Sequence, residues 1–279
     1  MTSQRVMYET HSHTPLCKHA VGPPTDYAAV ASARGLRGIF VTCHNPMPNG
    51  FASHVRMAPG EMDEYVALVQ QAKEDFADEV DVRLGLEADY FPGYESWVED
   101  QLGSLPFQYV LGSVHPQLPE YRREFWRDDP LENQKTYFDL LADAAETGLF
   151  DCLAHPDLIK NQTSTAWRPD KIMSLICRAL DRIAATGIAM ELNTSGADKI
   201  VPEMNPFPTM LAEIKARDIP IVIGADAHVP YRVADRFEIA LDLLASVGFS
   251  EVSVFFERQR HSIAIEQAQG SLRKLPLAS

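Results

Sequence analysis

The feature that most limits how this chain can fold is a rhythm. Short, almost continuously apolar runs alternate with longer stretches whose apolar residues recur at helical spacing. The apolar runs fall at Arg5–Glu9, Gly38–Thr42 ("GIFVT"), Val82–Leu86 ("VRLGL"), Tyr109–Ser113 ("YVLGS"), Asp151–Ala154, Ala189–Asn193 ("AMELN") and Ile221–Gly224. A weaker run, "VSVFF" at Val252–Phe256, reads as an eighth strand or an edge. Uninterrupted apolar runs are typical of parallel strands covered on both faces, because a strand with one wet face alternates. Between them, "PTDYAAVASARG" opens on proline and stops at Gly35, and "GEMDEYVALVQQAKEDFADE" sets Met62, Tyr65, Val66, Val69 and Phe76 on one stripe. Further helices are predicted at Trp97–Leu102, Leu131–Glu146, Pro169–Thr186, Phe207–Arg217 and Val233–Ser246, several of them ending at a glycine. Seven or eight strand–helix units without a composition break predict one parallel α/β domain over residues 1–279, a closed and distorted barrel rather than an open sheet.

That prediction gives the histidines a meaning. Three of the nine sit in one stretch, "YETHSHTPLCKHA". Past the carboxyl end of strand one come His11, His13 and His19; past strand two, His44; past strand three, Glu87; past strand four, His115; past strand five, His155; past strand seven, Asp226 and His228. Seven of nine histidines thus gather at the sheet edge where parallel barrels carry their active sites. Imidazole and carboxylate together suit zinc, iron or manganese, whereas calcium and magnesium prefer oxygen alone. In His11-x-His13 on extended chain both rings point to one side, and Asp226-x-His228 repeats the spacing. These nine donors exceed the roughly four to six that one ion takes, so two or three divalent ions are expected, with Glu87 the central bridge.

Composition narrows the substrate. A net charge of −14 argues against polymeric nucleic acid, which needs a basic face. The same charge would repel a small anion unless bound cations reverse the local field. Cys17, Cys43, Cys152 and Cys177 are widely spaced with no CxxC pair, and no long apolar stretch or secretory signal is visible, which predicts a reduced, cytoplasmic protein without membrane contact. Cys17 and Cys43 read as small buried apolar residues more readily than as ligands. His54 and His261 fall outside the pattern and read as solvated, Arg232 as a helix start, and Asn193 and Ser195 as formers of a turn at the rim. The polar stretch Gln117–Asp129 ("QLPEYRREFWRDD") reads as a loop, either a lid gripping substrate through Tyr121 or Trp126 or a segment packing its aromatics on the rim.

The ordered set "HSHTPLCKHA", "GLEADY", "GSVHP", "HPDL", "NTSG" and "GADAH" resembles the polymerase-and-histidinol-phosphatase (PHP) superfamily, and within it the histidinol-phosphate phosphatases, over almost the whole chain. The resemblance implies a distorted (β/α)7 TIM-like barrel that hydrolyses a phosphate monoester. It implies one metal on His11, His13, Glu87 and Asp226, a second on Glu87, His115 and His155, and a third on His19, His44 and His228. On this pattern a metal-bridging hydroxide, held through Glu87 and Asp226, attacks phosphorus in line, and cationic side chains complete the phosphate clamp. Lys160 matches a basic position of the family; Arg56, Lys199 and Trp126 are further candidates for substrate contact. Three departures bear on specificity. Cys43 stands where relatives carry Asp before the strand-two histidine, Glu9 where Asp is common before His11, and Asp198 where relatives tend to carry arginine. The expected activity is release of histidinol and inorganic phosphate in histidine biosynthesis, by a monomer or small homo-oligomer. The alternatives are a relative acting on another small phosphate ester or nucleotide, and an inactive metal-binding scaffold.

Overall fold

The computed structural model describes residues 4–274. Seven parallel strands, β1 (Tyr8–Glu9), β2 (Gly38–Val41), β3 (Asp81–Asp89), β4 (Tyr109–Ser113), β5 (Cys152–Leu153), β6 (Ala189–Asn193) and β7 (Ile221–Gly224), neighbour one another in chain order. The ring is completed beyond the strand ends, where the His13 amide donates to the Ala227 carbonyl and the Ala227 amide to that of His11. The helices are α1 (Pro24–Ala33), α2 (Met62–Asp75), α3 (Glu95–Ser104), α4 (Pro119–Phe125), α5 (Pro130–Glu146), α6 (Ile159–Gln162), α7 (Pro169–Thr186), α8 (Pro208–Ala216), α9 (Phe237–Val247) and α10 (Ile265–Ser271). Their starts follow local chemistry. Proline occupies the first turn of α1, α5, α7 and α8, where its missing N–H costs nothing, and the Asp129 carboxylate accepts from the Leu131 amide to cap α5. Gly187 and Gly248 end α7 and α9 in the left-handed region, at φ 75° and 100°.

Side chains alternate along each strand, and the inward set changes character from one end of the barrel to the other. The sequence runs Phe40–Thr42–His44 along and just past β2, Tyr109–Leu111–Ser113–His115 along and past β4, Ala189–Glu191–Asn193 on β6 and Val222–Gly224–Asp226 along and past β7. Tyr8, Phe40, Tyr109, Leu111, Cys152, Ala189 and Val222 form one apolar cluster at the amino-terminal end. The carboxyl-terminal end of each series is polar, buried at His44, His115 and Asn193 and half-buried at Asp226. A closed apolar floor beneath polar donors is what keeps water away from the donors' lower side.

The run "VSVFF" is neither part of the barrel nor its edge. It forms β8 (Glu251–Phe256), which pairs antiparallel with β9 (Gln259–Ala264), a strand with no apolar signal of its own. Val254 and Phe255 insert into the floor cluster, with the Phe255 ring stacked 5.3 Å from Tyr109, so the hairpin plugs the barrel from below. His261 lies exposed on β9. The stretch 117–129 is not a free loop. It contains α4, with Tyr121 buried and Phe125 packed 5.2 Å from Phe91. Arg232 does not open a helix, since it closes a single turn, Pro230–Arg232, and α9 starts only after Arg236, whose φ of 58° interrupts the helical path.

Candidate metal centre

All nine donors read from the sequence meet at the carboxyl-terminal mouth of the barrel, around Glu87. Its Oε2 lies 2.9 Å from His44 Nδ1, 3.3 Å from His11 Nε2 and 3.6 Å from His13 Nε2. Its Oε1 lies 3.0 Å from His155 Nε2 and 3.5 Å from His115 Nε2. Asp226 forms a second focus, with Oδ1 3.2 Å from His13 Nε2, 3.3 Å from His228 Nδ1 and 3.7 Å from His11 Nε2. His228 Nε2 in turn faces His19 Nε2 at 2.9 Å. His155 and Asp226 have φ of 29° and 51°, in the left-handed region that disfavours side chains. Both turns aim a donor inward, and strain of this kind persists where the surroundings over-determine the geometry.

The donor set fits divalent cations on three counts. First, buried atoms lack partners: His11 Nε2, His44 Nδ1 and Glu87 Oε2 make no hydrogen bond. The His44–Glu87 approach at 2.9 Å is short but not a hydrogen bond, so the two converge on common space rather than on each other. Second, the fixed cations do not match the acids, so protons on the rings or bound metal ions must supply the rest of the positive charge. Glu9, Glu87, Asp89, Glu191 and Asp226 lie at this end, and of the nearby basic side chains Arg56 pairs with Asp89 at 2.7 Å while Lys199 stands 3.8 Å from Asp226. Buried carboxylates require compensating positive charge. Third, the rings and carboxylates perturb one another. Burial pushes Glu87 up, but His44 and His11 carry it well below the ordinary carboxylate value. Burial lowers His13 and His115, yet Asp226 raises the first and Asp89 the second, each to about 9; burial alone dominates His44, which falls to about 3. Donor groupings compact enough for one ion include His11–His13–Asp226, His44–Glu87–His115 and His13–His44–His228.

A shell of carboxylates stands behind the donors; sequence reading singled out Glu9 but missed Glu191 and Asp89. Glu191, fully buried, accepts from His11 Nδ1 at 2.8 Å, from the His155 amide at 2.8 Å and from Asn193 Nδ2 at 3.0 Å. Asp89 accepts from His115 Nδ1 at 3.0 Å and from Arg56 Nη2 at 2.7 Å. Glu9 takes the amides of His11, Ala225 and Ala234 at 2.8–3.0 Å, joining the first strand to the last. Such partners fix tautomer and ring orientation. Both Glu191 and Asp89 occupy the inward parity of their strands, which was the available signal. Gly224 makes room for Glu191, since a Cβ there would stand 2.2 Å from Glu191 Oε1.

A cavity of about 330 Å³ opens over the centre, lined among others by Gln117, Leu158, Ser195 and Lys199. Larger clefts of about 510 and 380 Å³ lie near the start of β3, lined by Arg37, Lys73, Arg83 and neighbouring acids, far from these rings. Of the substrate contacts expected from sequence, only Lys199 lines the cavity over the centre. Lys160 is corrected: its ammonium is wholly buried, donating to Asp157 Oδ2 at 3.0 Å and to the Met204 carbonyl at 2.8 Å. Arg56 is not a surface charge, being buried against Asp89 and the Asn45 carbonyl, and it lines a smaller cavity of about 130 Å³ together with His19, His44 and His115. Trp126 packs on the core beneath the Arg122 guanidinium, which lies 4.5 Å from its ring centre, outside the cavity lining. Ser195 does more than shape a turn, because its hydroxyl lies 3.1 Å from Asp226 Oδ2. Asp198 is held by Arg236, at 2.6 Å, and by Arg232.

The PHP domain family model matches residues 9–195. A "Probable histidinol-phosphatase" of Deinococcus radiodurans is 40% identical over 246 residues, covering 86% of this chain and 93% of that protein. The "Histidinol-phosphatase" of Bacillus subtilis is 23% identical, covering 83% of this chain and 97% of its own length. The solved structure of a histidinol phosphate phosphatase from Lactococcus lactis, complexed with zinc, L-histidinol and phosphate, superposes with a TM-score of 0.77 at 20% identity, over 91% of this chain and 98% of the other. That last likeness speaks to the barrel alone.

Proposed function

This chain belongs to the PHP domain family, and on that premise we propose that it is a metal-dependent phosphomonoesterase that hydrolyses L-histidinol phosphate to L-histidinol and inorganic phosphate. The observation that carries the reading is the convergence of His11, His13, His44, His115 and His155 on the single carboxylate of Glu87, in a chain 40% identical to a protein named as a probable histidinol-phosphatase. His11, His13, Glu87 and Asp226 would hold one ion, Glu87, His115 and His155 a second, and His19, His44 and His228 a third. Bound divalent cations supply Lewis acidity, which lowers the pKa of water and neutralises charge on phosphoryl oxygens.

The chain's own residues do the rest. Glu191 and Asp89 hold the Nδ1 protons of His11 and His115, leaving Nε2 of each ring turned to the centre. Lys199, beside Asp226, offers a cation to the substrate phosphate, and Ser195 orients the Asp226 carboxylate. The floor cluster and hairpin exclude water from below. We read residues 1–279 as one such domain, cytoplasmic, monomeric or a small homo-oligomer. Among the described residues no helix is long and apolar enough to cross a membrane, and the −14 charge disfavours nucleic acid.

A second reading, a different small phosphate ester, is favoured by one observation: the acid Asp198 binds Arg232 and Arg236 on the rim, so those guanidiniums are already engaged. Phosphate release from histidinol phosphate and from a panel of small phosphomonoesters, using protein loaded with zinc, manganese or iron, separates the two. Preference for histidinol phosphate supports the first reading, and preference for another ester the second. No turnover at full metal occupancy would leave the inactive scaffold.

A further inference from the structure

Behind His13 lies a group that the phosphatase reading does not use. Cys17, on the short turn Pro15–Cys17, and Cys43, two residues past β2, are both unoxidised and fully buried. Their sulfurs and one ring nitrogen of His13 all lie within 4.8 Å of one another. Nε2 of His13 faces Asp226 at 3.2 Å, so Nδ1 is the ring atom left to the sulfurs. That Nδ1 is buried and has no hydrogen-bond partner. The Cys43 sulfur is placed to accept, taking the Thr14 hydroxyl at 3.2 Å.

A buried pair of thiols alone is ordinary packing. A buried imidazole nitrogen turned toward two sulfurs is not, because no nitrogen or oxygen satisfies it and sulfur is a weak partner. We propose that Cys17, Cys43 and His13 Nδ1 form a binding site for a soft, thiophilic cation, separate from the carboxylate–imidazole centre and joined to it through the His13 ring. Two thiolates and one imidazole favour soft d10 ions over the oxygen-seeking ones. Both sulfurs have no solvent exposure, which suits low coordination without water. A neutral ring has one proton to place: a cation on Nδ1 sends it to Nε2, which then has no lone pair for an ion. Each ligating thiol releases its proton to solvent, so filling the sulfur site withdraws His13 from the centre beside it. Thiophilic metals would therefore inhibit the enzyme by a route that the nine donors alone do not provide.

The test uses cadmium as probe on reduced, zinc-loaded full-length protein, read by the ultraviolet thiolate-to-cadmium charge-transfer band. The spectrum reports the site whether or not the chain turns over histidinol phosphate. One equivalent is expected to produce the band in wild type, and Cys17→Ser and Cys43→Ser are each expected to weaken cadmium retention about tenfold or more. Cys43→Asp, which restores a carboxylate beside the ring, serves if serine disturbs folding, and is likewise expected to lose the band. Absence of the band in wild type overturns the proposal. So does a band surviving the double Cys17→Ser/Cys43→Ser substitution, which assigns it to Cys152 or Cys177. A band lost with Cys17 but kept without Cys43 also overturns it, since that places the ion with His19 and His228.

Discussion

Glu191→Gln removes a charge while keeping the size of the side chain, so its effect is confined to the hydrogen bonds of one carboxyl group. The carboxylate has no solvent exposure and accepts three N–H groups, from His11 Nδ1 and the His155 amide at 2.8 Å and from Asn193 at 3.0 Å. A carboxamide keeps one oxygen and presents NH2 in place of the other. If the NH2 faces His11, the ring must accept at Nδ1, and its proton moves to Nε2, the atom turned to Glu87. If it faces His155, two donors meet inside the barrel, at a residue whose φ is already 29°. The first outcome is expected to weaken metal binding about 10–100-fold, the usual cost of losing an outer-sphere partner. The second leaves a buried donor unsatisfied, at a cost of about 1–3 kcal/mol in stability. Competition between the protein and a zinc chelator reads the first, and thermal unfolding of the metal-free protein reads the second. If zinc affinity stays within about twofold of wild type and the melting temperature is unchanged, the orienting role of Glu191 is refuted.

The same geometry sets the outcome at other positions. Gly224→Ala sets a methyl 2.2 Å from Glu191 Oε1 and 2.8 Å from the His11 Cβ. It is expected to lower bound metal, measured by elemental analysis, although it touches no ligand atom. Lys199→Ala is expected to raise KM about tenfold or more while leaving metal content intact, because it deletes a charge–phosphate contact worth roughly 1.5–3 kcal/mol; an unchanged KM would remove Lys199 from the substrate site. In the metal-free protein His13 and His115 titrate near 9, raised by their carboxylate partners. Those rings stabilise the fold fully below their unfolded value of about 6.5, and the contribution fades as pH rises through about 9. Zinc loading near pH 7 is accordingly expected to release protons, and to release few above pH about 10. A proton count independent of pH would contradict the assignment.

The barrel and its metal-facing edge were legible because both leave one-dimensional marks. Strands β4 and β7 carry nearly uninterrupted apolar runs, and each run on a donor-bearing strand is followed within a few residues by a donor. Roles that depend on burial left no such mark. Lys160 and Arg56 read in sequence as candidate phosphate contacts, yet each meets a buried acid, Asp157 or Asp89, that only the folded chain brings to it. Glu191 sat within a run read as strand, so its inward parity passed for core, whereas Asp89 lay past the predicted end at Leu86 of a strand that runs on to Asp89. Strand β9 was invisible because its outer residues are polar and its pairing with β8 runs through the tight turn at Glu257 and Arg258, both at positive φ. The α4 segment was obscured by its charged face, although Tyr121 and Phe125, four apart, mark the buried side.

The most direct test is an anomalous-difference map from crystals of the zinc-loaded protein, collected at the zinc edge. Peaks are expected at about 2.0–2.2 Å from carboxylate oxygens of Glu87 and Asp226 and from the ring nitrogens around them. A map with no peak at Glu87, from protein that still releases phosphate from histidinol phosphate, would contradict the central claim that these nine side chains hold the catalytic cations.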